Sequence, residues 1–473
     1  MATLIELPPS LKPLAEPLLA LVADLGALVD DPGALLLEQR YEDVEVRVAA
    51  LASGVERACH AALLSRLVHS EERLIVGGQV HHRAVEGRGT YRTMAGPVEV
   101  QRWLYRPAGT RNAPTVDPVG VQVGVVGDGW LPACAAAMAH KLQMGTSREA
   151  AQQAEQDRRF PYSRSSFESV AHAVGRLVVD RMDDIDDAII ESVEIPAEAK
   201  SVAISVDRVT LPMEEPRKRP VGRPRKGAPK RPVTRAFRQA YVGTVSLCDD
   251  EGEVLFSLRY GRMPKGDAGH MVHGMAVDVK ELLGRRPDLK VACIADGAPE
   301  MWNLLEGITE AELGVDVVHV LDFWHLVEKL GAAARVISSA PEPLLRRWKL
   351  ALLNRDGASA RIHDELTASG REWVKVGDAH PVHEAMTYLV NHGARLGYRE
   401  ARARGLPIGS GPVEASCKSL VGVRMKRAGS RWKAETGDHI LQLRARALSG
   451  AWAPTMRVAL SSLRSSVEVM RAA

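Results

Sequence analysis

Two short apolar runs, each stopping at an aspartate, constrain this chain more than any other feature. Val202-Ala203-Ile204-Ser205-Val206 stops at Asp207, and Val291-Ala292-Cys293-Ile294-Ala295 stops at Asp296. A nearly unbroken apolar run of five residues fits a strand buried on both faces, and such strands belong to sheets covered by helices. A third acid, Glu414, follows Pro407-Ile408-Gly409-Ser410-Gly411-Pro412 and is placed in the first turn of a helix. The glycines let that loop approach closely, and a helix N-terminus favours an acid. Two carboxylates at strand tips and a third entering from a helix suggest a cluster for a divalent metal. Mg²⁺ prefers hard oxygen donors and keeps several waters, so three acids suffice.

The elements around these runs alternate regularly. Residues 238–248 and 254–260 read as strands joined by the turn Asp249-Asp250-Glu251-Gly252. Residues 269–283 read as a helix, 290–295 as a strand, 299–305 as a helix, 316–321 as a strand, and Asp322 opens another helix. The order β-β-β-α-β-α-β-α predicts a mixed sheet with helices on its faces, which is also the order of the ribonuclease-H-like fold. With 473 residues the chain exceeds what one core usually serves. The expected division is a helical bundle over 1–80, a hairpin and helix-turn-helix-like region over 81–199, and a first part of the α/β core over 200–336. A helical insertion over 337–405 and a return to the core over 406–473 follow. In the second region 91–103 reads as a β-hairpin, and 147–156 with 163–178 as a helix pair whose second member starts with short polar groups suited to a groove.

The formal net charge is only +3, but its distribution is uneven. Acid gathers over 180–198 and base over 217–235 and 402–433. The segment 217–235, inside a loop spanning 214–236, holds nine basic residues, four prolines and no acid, and reads as an extended loop. Its centre, Gly222-Arg223-Pro224-Arg225-Lys226, is similar to an AT-hook, in which arginines fit a narrow A·T minor groove. Arg424, Arg427 and Arg431 are spaced as one stripe of a helix. With Lys418 and Lys426 they predict a basic surface for a DNA backbone beside Glu414. Trp432 reads as packing. The five cysteines form no C-x-x-C pair, so neither zinc nor a disulfide framework is predicted. No leader or membrane-spanning run is apparent, and a cytoplasmic protein is expected.

The stretch Ile408-Gly409-Ser410-Gly411-Pro412-Val413-Glu414-Ala415-Ser416-Cys417-Lys418, continuing to Arg424-Met425-Lys426-Arg427-Ala428-Gly429-Ser430-Arg431-Trp432, resembles the C-terminal signature of bacterial insertion-sequence DDE transposases of the ISKra type, related to the Mutator-like group. Asp296-Gly297-Ala298 and Val320-Leu321-Asp322-Phe323-Trp324-His325 resemble that family's second-acid and D-x-x-H motifs. The resemblance covers about residues 200 to 450. It implies Asp207, Asp296 and Glu414 as a metal-binding catalytic triad, with Asp322 and His325 as auxiliary residues. It implies two Mg²⁺ or Mn²⁺ ions about 3.5–4 Å apart, strand cleavage and strand transfer at transposon ends, and a homo-oligomer on end and target DNA. Some relatives carry zinc-binding cysteines after the N-terminal hairpin; here 106–118 has none. The rival readings are a nuclease of the same fold that only hydrolyses, and a non-catalytic DNA-binding protein derived from a transposase. Loss of one acid would mark the last, and all three are present.

Overall fold

The computed structural model describes residues 8–30, 41–110, 112–215, 227 and 234–470. The chain divides into two units: residues 1–185 with 453–473, and residues 186–452.

The first unit opens with helices α1 (Ala15–Asp30) and α2 (Tyr41–Ser65). The antiparallel strands β1 (Arg73–Val76), β2 (Gln79–Thr93) and β3 (Gly96–Pro107) follow. The hairpin is longer than its sequence pattern suggests, because residues 79–90 alternate weakly. Its turn is tight: Thr93 pairs with Gly96, Gly96 takes φ +124°, and the Thr93 hydroxyl accepts from Ala95 N–H and donates to Gly96 O. Leu64, Tyr91, Val98, Val100 and Val119 form the core beneath it. Helices α3 (Pro118–Val123), α4 (Pro132–Met144), α5 (Ser147–Gln156) and α6 (Arg164–Asp180) complete this part. A Thr146–Glu149 capping box starts α5 and Ser163 caps α6, as short hydroxyl side chains do best. The α5–α6 connection runs from 157 to 163, longer than the three or four residues of a helix-turn-helix. Arg164, the first residue of α6, is held by Ser147 Oγ and Glu168. The division between the units falls inside α7 (Met182–Ser192).

The second unit is a five-stranded mixed sheet with helices. Strand β4 (Ser201–Glu215) pairs antiparallel with β5 (Thr234–Cys248), which pairs antiparallel with β6 (Val254–Arg262). Helix α8 (Ala268–Arg285), capped by Asp267, leads to β7 (Lys290–Ala295), parallel to β4. After α9 (Pro299–Leu305) and the short α10 (Glu310–Leu313) comes β8 (Val317–Leu321), parallel to β7. The order across the sheet is β6-β5-β4-β7-β8. Residues 201–206 of β4 are buried throughout, which explains their unbroken apolar run. Both faces are covered. A Cβ on Gly243 of β5 would lie 2.5 Å from Met275 of α8. A Cβ on Gly261, whose cross-strand partner is Val242, would lie 2.9 Å from Leu441. Successive strand residues face opposite sides, so α8 and the helix carrying Leu441 sit on opposite faces.

Helix α11 (Phe323–Ile337) starts at Asp322. The expected insertion is helical: α12 (Pro341–Asn354), α13 (Ala358–Ala368), α14 (Pro381–Asn391) and α15 (Tyr398–Ala403). They pack around Trp348, Leu352, Ile362, Leu366 and Leu389, and Trp348 Nε1 donates to Glu365 at 2.8 Å. The chain re-enters the core as α16 (Gly411–Ser416), a wide π-helical turn over Cys417–Gly422, and α17 (Val423–Met425). Helix α18 (Ala434–Leu448) carries Leu441. Val413, Cys417, Leu420, Val421, Met425 and Leu441 form one core with Leu211, Met213 and Val242. Last come α19 (Trp452–Ser461) and the three-residue β9 (Val467–Val469), which pairs with β1 and gives the first unit's sheet the order β3-β2-β1-β9. Residues 453–473, expected with the α/β core as part of 406–473, group with the first unit. Three residues carry too little pattern to announce a strand.

Candidate functional site

Strand register brings the acids together. β4 and β7 are parallel with Ser205 opposite Ile294, so two residues further Asp207 and Asp296 stand level. β7 and β8 are parallel with Ala295 opposite Leu321, so Asp322 stands level with Asp296, and Asp322 N–H donates to Ala295 O at 2.9 Å. Three aspartates therefore lie abreast across three neighbouring strands, about 5 Å apart from strand to strand. β4 does not end at Asp207, as its apolar run suggests. It continues to Glu215, and Asp207 shares a face with Val209, Leu211 and Met213, the face against which 413–425 packs. Alternation thus aims Asp207 at the helix that carries Glu414.

Asp207, Asp296, His325 and Glu414 all line one cavity of about 340 Å³, together with Arg208, Ser410, Cys417, Lys418 and Lys426. The catalytic residues expected from sequence share this one opening. Asp207 Oδ2 accepts the Cys417 thiol at 3.3 Å, and burial together with the Asp207 charge pushes that thiol well above its ordinary pKa. Asp296 Oδ1 accepts Ala298 N–H at 2.9 Å, and Trp302 Nε1 donates to the Asp296 carbonyl at 2.7 Å. Gly297 is required here: a Cβ would lie 2.2 Å from the Tyr388 ring. Arg208 is tied back to Glu300 of α9, which also accepts the Tyr241 hydroxyl.

Asp322 is fully buried and has no opening of its own. One oxygen accepts His325 N–H at 2.7 Å and approaches His325 Nδ1 at 3.0 Å; the other accepts the backbone N–H and the hydroxyl of Ser410. Burial alone would raise its pKa, but these bonds hold it below the usual carboxylate value. The hydrogen bond to Asp322 pushes His325 up to about 9, against its partial burial, with Glu414 and Asp296 adding to the effect. Ser410 Oγ also reaches Glu414 Oε1 at 3.2 Å, and His325 Nδ1 lies 3.7 Å from the same oxygen.

Donor atoms of Asp322, His325 and Glu414 lie within 4.8 Å of one another, close enough to hold a metal ion. Chemistry argues against Asp322 as the ligand. Both of its oxygens already face donors of His325 and Ser410, and the side chain is buried. Asp207, Asp296 and Glu414 line the cavity wall, and Asp322 stands behind it, bonded to His325 and Ser410.

The basic residues fare differently. Lys418 and Lys426 line the cavity as expected. The stripe of Arg424, Arg427 and Arg431 is not formed, because the helix widens over 417–422, ends at Met425 and is followed by Gly429 at φ +78°. Arg424 is only 7% exposed and stacks 5.0 Å over Trp432, whose Nε1 donates to Met425 O. Arg427 Nε donates to Val423 O, and Arg431 lies beyond the helix end. Arg223, Arg225 and Lys226, the AT-hook-like residues, lie outside the described residues. Ser410, Cys417 and Tyr388 were missed by sequence reasoning. Ser410 sits inside the Gly-Ser-Gly-Pro stretch, whose spacing marks a loop and gives no sign of a buried hydroxyl.

No family model and no curated protein matches the chain. Among solved structures, a Drosophila P element transposase strand transfer complex is similar at a TM-score of 0.35 and 12% identity, over 67% of this chain and 91% of that one. A Mos1 transposase paired-end complex with left transposon end is similar at a TM-score of 0.16 and 13% identity, over 59% and 79%. Likeness at this level carries no weight for function. No helix among the described residues is long and apolar enough to cross a membrane.

Proposed function

We propose that this chain is a DDE-type transposase of an insertion sequence, of the ISKra type, which cuts DNA at transposon ends and joins the freed ends to a target. One observation carries the reading: Asp207, Asp296 and Glu414 open onto a single cavity, the first two level on adjacent parallel strands. The strand order β6-β5-β4-β7-β8 supports a ribonuclease-H-like core. Asp207, Asp296 and Glu414 would hold Mg²⁺ or Mn²⁺, two ions in the expected arrangement. Bound there, the metal supplies charge neutralisation and activation for in-line displacement at phosphorus.

The chain's own residues supply the rest. Asp322 fixes the ring of His325, leaving Nε2 as the ring nitrogen available to a substrate oxygen. Ser410 couples the orientation of Glu414 to Asp322. Lys418 and Lys426 meet the phosphate backbone at the cavity wall. DNA ends and target are the partners, and a homo-oligomer forms on them.

The test is Mg²⁺- or Mn²⁺-dependent cleavage of DNA carrying the ends that flank the gene, with Asp296→Ala beside wild type and DNA binding checked for both. Loss of cleavage with binding retained supports the triad; equal cleavage by both proteins sinks it. A target plasmid in the same reaction separates joining from hydrolysis alone, which would favour a nuclease.

A further inference from the structure

A second cavity, of about 840 Å³, lies on the other side of the loop that carries Ser410. Ser410, Val413 and Glu414 line the carboxylate cavity, while Gly409, Gly411 and Pro412 line this one. Its most unusual group is Trp324, 55% exposed and next in sequence to His325. The indole is nonetheless held in place. It meets Phe323 edge to face at 5.3 Å, and Gly409 leaves room for it, since a Cβ there would lie 3.2 Å from Trp324 Cδ1. The Lys349 ammonium of α12 lies over one face of the ring, 4.9 Å from its centroid, and Arg402 of α15 lines the same cavity. So do three exposed acids of the β5–β6 turn, Asp250, Glu251 and Glu253.

We infer that this cavity takes an unpaired nucleobase of the DNA strand next to the cleaved phosphate, stacked on Trp324. The inference rests on reading the first cavity as a DNA-cleaving site. A half-exposed indole held on a fixed backbone, already attracting a cation to its face, suits stacking, because every base has a π-face. The acids argue for a base rather than a phosphate track. Carboxylates repel a phosphate run, yet they accept hydrogen bonds from the amino edges of cytosine, adenine and guanine. Lys349 and Arg402 supply the cations that the flanking phosphates need. The shared loop sets both sites at once, so a base seated on Trp324 registers the strand against Glu414.

The experiment compares two fluorescein-labelled 12-mers, oligo-dC and an abasic strand with the same number of phosphates, bound to the full chain in EDTA. Wild type is expected to bind oligo-dC at least about fivefold tighter than the abasic strand, the lower end of what one stacked base contributes. Trp324→Ala should abolish the difference and Trp324→Phe should keep most of it, with thermal unfolding compared for all three. No preference in wild type, or an undiminished preference in Trp324→Ala, overturns the inference. A variant that fails to fold is bypassed by photocrosslinking wild type to 5-iododeoxycytidine DNA. A crosslink on the peptide carrying Trp324 supports the site, and crosslinks confined to other peptides overturn it. None of these readouts needs metal or cleavage. Metal-dependent cleavage measured on the same preparation therefore tests the first cavity separately: cleavage without base preference sinks only this inference, and base preference without cleavage sinks only the transposase reading.

Discussion

The second unit holds two clusters of acids that differ in what their oxygens face. Asp207 within β4, Asp296 just past β7 and Glu414 on α16 line an open cavity. Elsewhere in the unit Asp278 of α8 accepts the Tyr260 hydroxyl, and nearby Asp186 pairs with Arg446, which is 3% exposed. Burial pushes Asp278 up to about 7, with Asp186 adding to the rise and the Tyr260 bond opposing it. That cluster is closed: its acids are answered by the protein's own groups. Acidity alone therefore does not make a site. A cluster becomes one when carboxylates are aimed into an opening by groups behind them, as Asp322 and Ser410 stand behind Glu414 and His325.

The largest effect is expected from crossing the two clusters. Asp296→Ala should lower metal-dependent DNA cleavage by about 10³-fold or more, roughly 4 kcal/mol of transition-state stabilisation. Asp278→Asn should leave the rate within about twofold. Equal losses in both variants, in single-turnover cleavage, would erase the distinction. Ser410→Ala removes the hydroxyl that lies between Asp322, at 2.8 Å, and Glu414, at 3.2 Å, and can donate to either. A loss of about 10- to 100-fold in kcat, with DNA affinity kept, is the outcome expected for a group that orients a ligand. A rise in KM alone would mean that Ser410 only shapes the loop.

Two smaller effects concern pH and have opposite causes. The pKa of His325 near 9 lies above its ordinary value of about 6.5. The stabilisation from its pairing with Asp322 is complete below about pH 6.5 and fades as pH rises through about 9. Melting temperature followed from pH 6 to 10 should show this fall in wild type and lose it in Asp322→Asn. Asp278 is an acid whose folded pKa is raised, so the native state holds its proton longer than the unfolded chain does. Its contribution falls as pH rises from about 4 to about 7. Asp278→Asn should flatten that window and add on the order of 1 kcal/mol at pH 8. Urea titrations at pH 5 and pH 8 check it, and an unchanged slope would show that Asp278 ionises freely.

Much of the second unit was legible because its strands are buried on both faces. The run 290–295 and the helix 299–305 were read to the residue, since each is a short apolar segment bounded by turn or Pro signals. Legibility failed where partners are distant or half-exposed. Residues 208–215 of β4 mix Pro212, Glu214 and Glu215 with apolar residues, and only pairing with β5 and with Trp432 makes them strand. The π-helical turn at 417–422 leaves no mark in residue type, yet it ends the arginine stripe that helical spacing predicts. Asp207, Asp296 and Glu414, which line one cavity, each follow a sequence feature that is easy to recognise, an apolar run or a Gly-Pro loop. The role of Asp322 as an inward brace could not be picked out, since it depends on a serine 88 residues away.

The continuation of β4 past Asp207 acts as a ruler. Glu215, where the paired ribbon of β4 and β5 meets the basic segment, lies eight residue steps on from Asp207. At about 3.3 Å per residue that arm is roughly 26 Å long. Duplex DNA rises about 3.4 Å per base pair, so the same distance covers about eight base pairs. The strand that carries Asp207 thus reaches, at Glu215, a point about as far from that aspartate as most of one turn of duplex is long.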